Sequence, residues 1–132
     1  MYTMMQVCRE LDMTYQTLKF YCNEGLVPNV KRDHNNRRVF DEKDVKWIKD
    51  LTCLKKCGMS IQEMKKYLEL CLQGEATIVS RKKMLARKQE ELRASIKELE
   101  DSISYIGWKQ NFYDEVLSGK RPYVSNLIRT AE

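Results

Sequence analysis

From about Thr77 to Leu117 the chain runs for some forty residues with no proline and one glycine, Gly107, and apolar side chains recur through it every seven residues. Leu85, Leu92, Leu99, Ile106 and Tyr113 make one series. Gln89, Ile96, Ile103, Gln110 and Leu117 each fall four residues later, which is the a/d spacing of a coiled-coil seam. The spacing predicts a helix of about forty residues, on the order of 60 Å at 1.5 Å per residue. A lone helix of this kind leaves its seam in water, and the rest of a 132-residue chain is too small to cover it. A partner helix is therefore expected on Leu85, Leu92, Ile96, Leu99, Ile103, Ile106 and Tyr113, the alternative being a helix folded back on its own domain. Gln89 and Gln110, polar at a positions, weaken such a seam but fix its register.

The first forty residues have a different organisation. Thr3 with Gln6 three positions on is a helix start, and Val7, Cys8 and Leu11 supply an inner face. Asp12-Met13 turns the chain and Thr14 caps a second helix, Thr14 to Glu24, closed by Gly25-Leu26. In that helix Leu18, Tyr21 and Leu26 suit an inward role. Tyr15, Gln16, Thr17, Lys19 and Phe20 offer the hydroxyl, amide, cation and aromatic groups used on phosphates and base edges. Taken alone the stripe is equally an ordinary solvated surface. Two short helices joined by a tight turn, the second bearing polar groups, make the helix-turn-helix pattern.

Beyond it, Lys31, Arg32, Arg37 and Arg38 put four cations into eight residues around the turn-forming Asp33-His34-Asn35-Asn36. Two short extended runs, Val27 to Lys31 and Arg37 to Phe40, flank that tip and predict a basic hairpin. Asp41 to Asp44 opens a helix that stops at Gly58, with Val45, Ile48 and Leu51 inward and Trp47 off the stripe. Ser60-Ile61-Gln62-Glu63 is a capping box for a further helix, with Ile61, Met64, Leu68 and Leu72 inward, ended by Gly74.

These residues resemble the MerR-type transcription regulators. The match lies in Tyr2-Thr3, in Thr17-Leu18-Lys19-Phe20-Tyr21-Cys22-Asn23-Glu24-Gly25-Leu26, and in Asn36-Arg37-Arg38-Val39-Phe40, and covers roughly residues 2 to 72. Lys19, Phe20, Cys22 and Arg37 stand where the family pattern has Arg, Tyr, Glu and Tyr; Lys19 keeps the charge without the planar fork. The resemblance implies a mainly α fold: a winged helix-turn-helix head with a small β wing, then a long C-terminal helix pairing antiparallel with its twin. The expected divisions are a DNA-binding head over residues 1–75, a dimerisation helix over 76–118 and a short tail over 119–132. It implies a homodimer that binds double-stranded promoter DNA, distorting an over-long spacer so that RNA polymerase engages both promoter elements. The expected DNA-binding residues are Thr3, Tyr15, Gln16, Thr17, Lys19, Phe20, Tyr21, Arg37, Arg38 and Phe40. An architectural DNA-binding protein with the same head and no signal input is the alternative.

Composition narrows the remaining classes. The formal charge of +5, from 24 Lys and Arg against 19 Asp and Glu, says little until its distribution is considered. No window approaches eighteen uninterrupted apolar residues, and Arg9, Glu10 and Asp12 interrupt the first twenty, so neither a membrane span nor a secretion signal is expected and the protein is placed in the cytoplasm. The single histidine, His34, lies at the hairpin tip, and the five glycines are scattered, so no catalytic pairing or phosphate loop suggests itself. No enzyme activity and no cofactor are expected. Metal-binding members of the family carry cysteines after the long helix, and Ser118 to Tyr123 has none, so no metal is expected either.

Five cysteines, Cys8, Cys22, Cys53, Cys57 and Cys71, are an odd count and are expected to be free thiols. Cys8, Cys22 and Cys71 fit as small apolar side chains. Cys53-Leu54 followed by Gly58-Met59 looks like the segment that holds a reactive cysteine in the aldehyde- and thiol-stress branch of the family, the AdhR and NmlR types. Cys53 and Cys57 are thus candidate sensors of electrophile or thiol stress, against two alternatives: buried small residues, or a thiolate metal pair.

Overall fold

A computed structural model describes residues 1–129. The elements run β1 (Tyr2–Thr3), α1 (Met4–Leu11), α2 (Tyr15–Asn23), β2 (Lys31–Arg32), β3 (Arg38–Phe40), α3 (Glu42–Lys56), α4 (Ile61–Leu72), a single 3-10 turn (Gly74–Thr77) and α5 (Ile78–Leu117). The fold is mainly helical with a small three-stranded wing sheet and a long C-terminal helix.

Each short helix starts where a side-chain oxygen can accept from an otherwise unpaired backbone N–H. Thr3 accepts from the Gln6 N–H at 3.2 Å while the Gln6 side chain accepts from the Thr3 N–H at 2.8 Å. Asp41 and Asp44 reciprocate in the same way at 2.8 and 2.9 Å, and Ser60 and Glu63 both at 3.1 Å. Thr14 caps α2 by accepting from the Thr17 N–H at 3.1 Å. Between α1 and α2 Asp12 takes the left-handed conformation, φ 51°, which a short polar side chain tolerates better than an apolar one. Gly58 closes α3 with φ +85°, letting the Met59 N–H reach back to the Leu54 carbonyl at 3.2 Å.

The sheet differs from the expected hairpin at both ends. The run Val27 to Lys31 is extended only at Lys31–Arg32, because Pro28 has no N–H to give a ladder and the Val30 N–H closes a turn on the Val27 carbonyl at 3.3 Å. A third strand, β1, joins from the N-terminus, so that β3 is central and antiparallel to both neighbours. Tyr2 stands opposite Phe40, and Lys31 opposite Val39.

One apolar core gathers Val7, Leu18, Tyr21, Leu26, Phe40, Ile48, Leu51, Met59 and Met64, all at most 3% exposed. Each large side chain so buried is worth roughly 1.5 to 3 kcal/mol relative to leaving it in water. Trp47, off the inner stripe of α3, stacks on Tyr67 of α4 with centroids 6.4 Å apart and donates its indole N–H to the Leu26 carbonyl at 2.7 Å. The compact head unit extends to Gln89 and takes in the first turns of α5. Met84 packs against the core there, and Lys88 pairs with Glu63 at 3.2 Å.

A second unit begins at Glu90. Within it Tyr105, Trp108 and Phe112 stack along the helix with centroids 6.3 and 5.9 Å apart. Arg121 folds back over Phe112, 5.2 Å from the ring centre, and pairs with Glu115 at 2.8 Å, which ties the start of the tail to the helix end. Of the expected tail, residues 130–132 lie outside the described residues.

The charges on α5 are segregated. Its first twenty residues carry seven cations and two acids, its last twenty five acids and one cation. A helix dipole favours acids in the first turn and cations in the last, and α5 has neither.

Candidate nucleic-acid interface

Two surfaces meet in the head. Inward, α2 sends Leu18 and Tyr21 into the core; outward, it presents Tyr15, Gln16, Lys19 and Phe20, all exposed and spaced to share one face. Tyr15 and Phe20 remain 45% and 44% exposed, unusual for aromatic side chains in a head with a well-filled core. Thr17 is half-buried, its hydroxyl 2.8 Å from that of Thr14, so it serves the helix start as well as the surface.

The wing stands beside this helix. Its tip is an Asx turn in which the Asp33 carboxylate accepts from the Asn35 and Arg37 N–H groups at 2.9 and 3.0 Å, and Asn36 takes φ 60°. Those bonds, that of Arg37 first, hold the Asp33 carboxyl below its ordinary range, keeping it ionised among cations. Arg38 donates to the Asn23 side chain at 2.7 Å, fastening β3 to the end of α2, and Arg32 donates to the Asn36 carbonyl at 2.9 Å. Lys31 has another task. It reaches Asp41 at 2.9 Å and Asp44 at 3.2 Å, binding β2 to the start of α3. The Asp41 carboxyl is held at about 2, mainly by the Asp44 N–H and then by Lys31.

Between wing and helices lies a groove of about 470 Å³ walled by Thr3, Met4, Met5, Tyr15, Arg32, Asp33, Asn36, Arg37, Arg38 and Val39. The fold thus draws four expected contact residues, Thr3, Tyr15, Arg37 and Arg38, into one concave surface, with Gln16, Lys19 and Phe20 on the exposed face of α2. Guanidinium groups, an exposed amide and exposed aromatics on a protruding helix and wing can neutralise phosphates and touch base edges. Arg32 belongs to the groove although it was absent from the expected contacts; its place in the run of wing cations was the available signal.

Two expected contacts are corrected. Tyr21 is 3% exposed and Phe40 0%, both within the core, so neither presents a surface to DNA. Tyr21 lies three residues after Leu18 and shares its inward face, and Phe40 points beneath the central strand. They hold the interface from below.

The cysteines divide differently from the expected pattern. Cys8 is buried, and burial raises its thiol above the ordinary value. Cys22 is half-buried and likewise raised, chiefly by desolvation. Cys53 is exposed on α3, which contradicts its alternative as a buried small residue, and Cys57 is half-buried at the end of that helix. No group of three or more His, Cys, Asp or Glu residues among those described is arranged to hold a metal ion. None of the described helices is long and apolar enough to cross a membrane.

On α5, Leu85, Leu92, Ile96, Leu99, Ile103, Ile106 and Tyr113 are all exposed.

Comparison with known proteins agrees with this geometry. Residues 2–71 match the MerR HTH family of regulatory proteins, and residues 45–106 match the MerR DNA-binding model. An uncharacterized HTH-type transcriptional regulator of Haemophilus influenzae is 33% identical over 114 residues, spanning 86% of this chain and 84% of the relative. The HTH-type transcriptional regulator AdhR of Bacillus subtilis is 37% identical over 87 residues, 66% of this chain and 62% of AdhR. Among solved structures, that of HiNmlR, described as a MerR family regulator lacking the sensor domain and bound to promoter DNA, superposes with a TM-score of 0.71 at 32% identity, covering 89% of this chain and 93% of that one. With its helix-turn-helix, its wing and its long helix in the same order along the chain, this protein belongs to the MerR family of transcriptional regulators.

Proposed function

We propose that the protein acts in the cytoplasm as a homodimer on double-stranded promoter DNA, with no catalytic activity of its own, distorting the duplex so that RNA polymerase can use it. The charge order of α5 carries the dimer. A basic first half and an acidic second half repel a parallel copy in register, and attract an antiparallel one end to end. The same pairing covers Leu92, Ile96, Leu99, Ile103 and Ile106, which the single chain leaves exposed. Two heads held by one rigid coil then present two α2 helices and two wings to successive turns of DNA.

Cys53 is the proposed input. Its exposure on α3 leaves the thiol open to electrophiles, and an adduct acts through α3 itself, the helix whose opposite face supplies Ile48 and Leu51 to the core beneath the DNA-binding face. A coupling of about 1 to 3 kcal/mol already changes affinity roughly 5- to 150-fold.

One set of measurements tests both parts. Light scattering of wild type should give a dimer, and Leu99→Asp with Ile103→Asp a monomer with a folded head and weakened operator binding. A promoter reporter exposed to an aldehyde or quinone should respond in wild type and not in Cys53→Ser. A wild-type monomer at micromolar concentration refutes the coil. A reporter indifferent to every electrophile, with DNA still bound, returns the protein to the architectural role.

A further inference from the structure

The apolar series of α5 begins before the part that a second α5 can cover. Setting Leu85 against the partner's Leu117 brings Gln89 against the partner's Tyr113 and Leu99 against the partner's Ile103, and this a-to-d register alone matches all ten seam positions of an antiparallel pair. Yet α5 starts at Ile78, one heptad before Leu85 and in the same series. About 10 Å of helix therefore runs past the end of the partner's α5, which stops at Leu117. At this joint between α4 and α5 three apolar side chains, Leu72, Ile78 and Val79, are exposed. The joint itself is firmly made. Arg81 donates to the Gly74 carbonyl at 2.6 Å and to the Thr77 hydroxyl at 3.2 Å, and Gly74 turns there with φ +82°.

The segment after α5 carries a matching surface. Gly119, with φ +83°, turns the chain off the helix, and beyond Arg121 the side chains of Tyr123, Val124, Leu127 and Ile128 are all exposed, Leu127 at 92%. The Ser125 hydroxyl accepts from the Leu127 and Ile128 N–H groups at 3.1 and 2.9 Å, so these two aliphatic side chains project from one closed turn. Four large apolar side chains within six residues make a contiguous patch, the kind of surface that marks an interaction site. The antiparallel pair brings this tail to the joint. It leaves α5 where the partner's Leu85 lies, the partner's Ile78 is about 10 Å farther on, and the eleven residues from Ser118 to Ile128 reach up to about 36 Å.

We infer that residues 122–128 of each protomer dock on the α4–α5 joint of the other, closing over Leu72, Ile78 and Val79 as an exchanged latch. The inference rests on the antiparallel dimer proposed above. Apolar burial holds the latch, and the two-fold relation makes it reciprocal, so one latch closes at each end of the coil. The joint sets the direction in which α5 leaves the head, and a seated tail stiffens that link between the coil and the DNA-binding surface.

Photo-crosslinking of the full chain tests this. Protein carrying Leu127→p-benzoylphenylalanine is mixed with an excess of isotopically heavy wild type, left to exchange subunits and irradiated. The light tail should be joined to heavy peptides that contain Leu72, Ile78 or Val79. Hydrogen exchange gives the second readout. Leu127→Asp with Ile128→Asp, and separately Val79→Asp, should each stay dimeric in light scattering while the amides of residues 74–82 exchange about tenfold faster, the factor that uncovering roughly 60 Å² of apolar surface gives. An acid at position 79 otherwise favours a helix start, so faster exchange in that variant reports the lost latch. Light tail joined only to its own chain, heavy adducts away from the joint, or exchange unchanged in both variants overturns the latch. A monomeric wild type fails the dimer reading and the latch with it, whereas a dimer without heavy adducts at the joint removes the latch alone.

Discussion

Phe40 separates a structural from a contacting role more sharply than any other position. Its family motif suggests DNA, whereas its ring is 0% exposed on the central strand, above the core shared by Val7, Leu18 and Ile48. Truncating a buried phenylalanine to alanine costs about 3 to 5 kcal/mol, a large part of the roughly 5 to 15 kcal/mol that holds a small domain folded. Phe40→Leu keeps most of the volume, and roughly 1 to 2 kcal/mol is expected. For a head of this size that is a fall in Tm of about 4 to 16 °C. Differential scanning fluorimetry measures it. Fluorescence anisotropy on an operator selected from random duplexes, at a temperature well below the lowered Tm, should give a Kd within about twofold of wild type, since no contact is lost. The reasoning is refuted if Phe40→Leu leaves Tm in place yet weakens binding tenfold, because the ring would then be reaching DNA.

Lys19→Ala and Arg37→Ala should each lower the salt slope of DNA binding by roughly one unit with base preference kept; slopes unchanged in both would put DNA on another face. Arg38→Ala should cost more than Arg37→Ala, because it also releases the wing from Asn23; equal losses would show that the bond positions nothing. Asp41, held at about 2 against an ordinary 3.8, contributes stability that is complete above pH about 4 and is lost as pH falls towards 2. Asp41→Asn removes that contribution, so the gap in thermal stability between variant and wild type should close through that window. A gap constant from pH 6 to 2 would contradict the assignment. Trp47→Phe keeps the ring but strands the Leu26 carbonyl, and urea unfolding should show a loss of about 1 to 3 kcal/mol; an unchanged midpoint would mean water replaces the indole.

Local chemistry was legible in the sequence, and long-range geometry was not. Thr3 with Gln6 and Ser60 with Glu63 announce helix starts because both partners of the cap lie within one turn. β1 gave no signal: two residues, Tyr2–Thr3, become a strand only because β3, nearly forty positions later, offers a free edge. The cation cluster was visible, but that Lys31 is engaged by Asp41 and Asp44 depends on how β2 meets α3. Tyr21 and Cys53 were both decidable from helix periodicity. Three residues from Leu18 puts Tyr21 inside, and two from Leu51 puts Cys53 on the opposite face of α3. A motif identifies which residues recur, and helical spacing tells which way they point. A cavity lined by Pro28, Asn29, Lys43, Asp44, Trp47, Leu68, Cys71 and Leu72 joins the turn after α2, the start of α3 and the C-terminal end of α4, and no short pattern could have brought them together.

The segregated charges of α5 bear on partner choice as well as orientation. In the proposed dimer a leucine and isoleucine seam is generic, because apolar contact alone discriminates weakly between one such stripe and another. An opposed gradient of charge adds a second condition that a foreign helix must meet along its whole length, so mismatched pairs meet like charges instead of favourable ones. Because the field reaches only about 8 Å at physiological ionic strength, it acts as two helices come side by side rather than at a distance. In the proposed homodimer the charged flanks thus govern which helix is accepted as partner, leaving the apolar seam to set how tightly the pair holds.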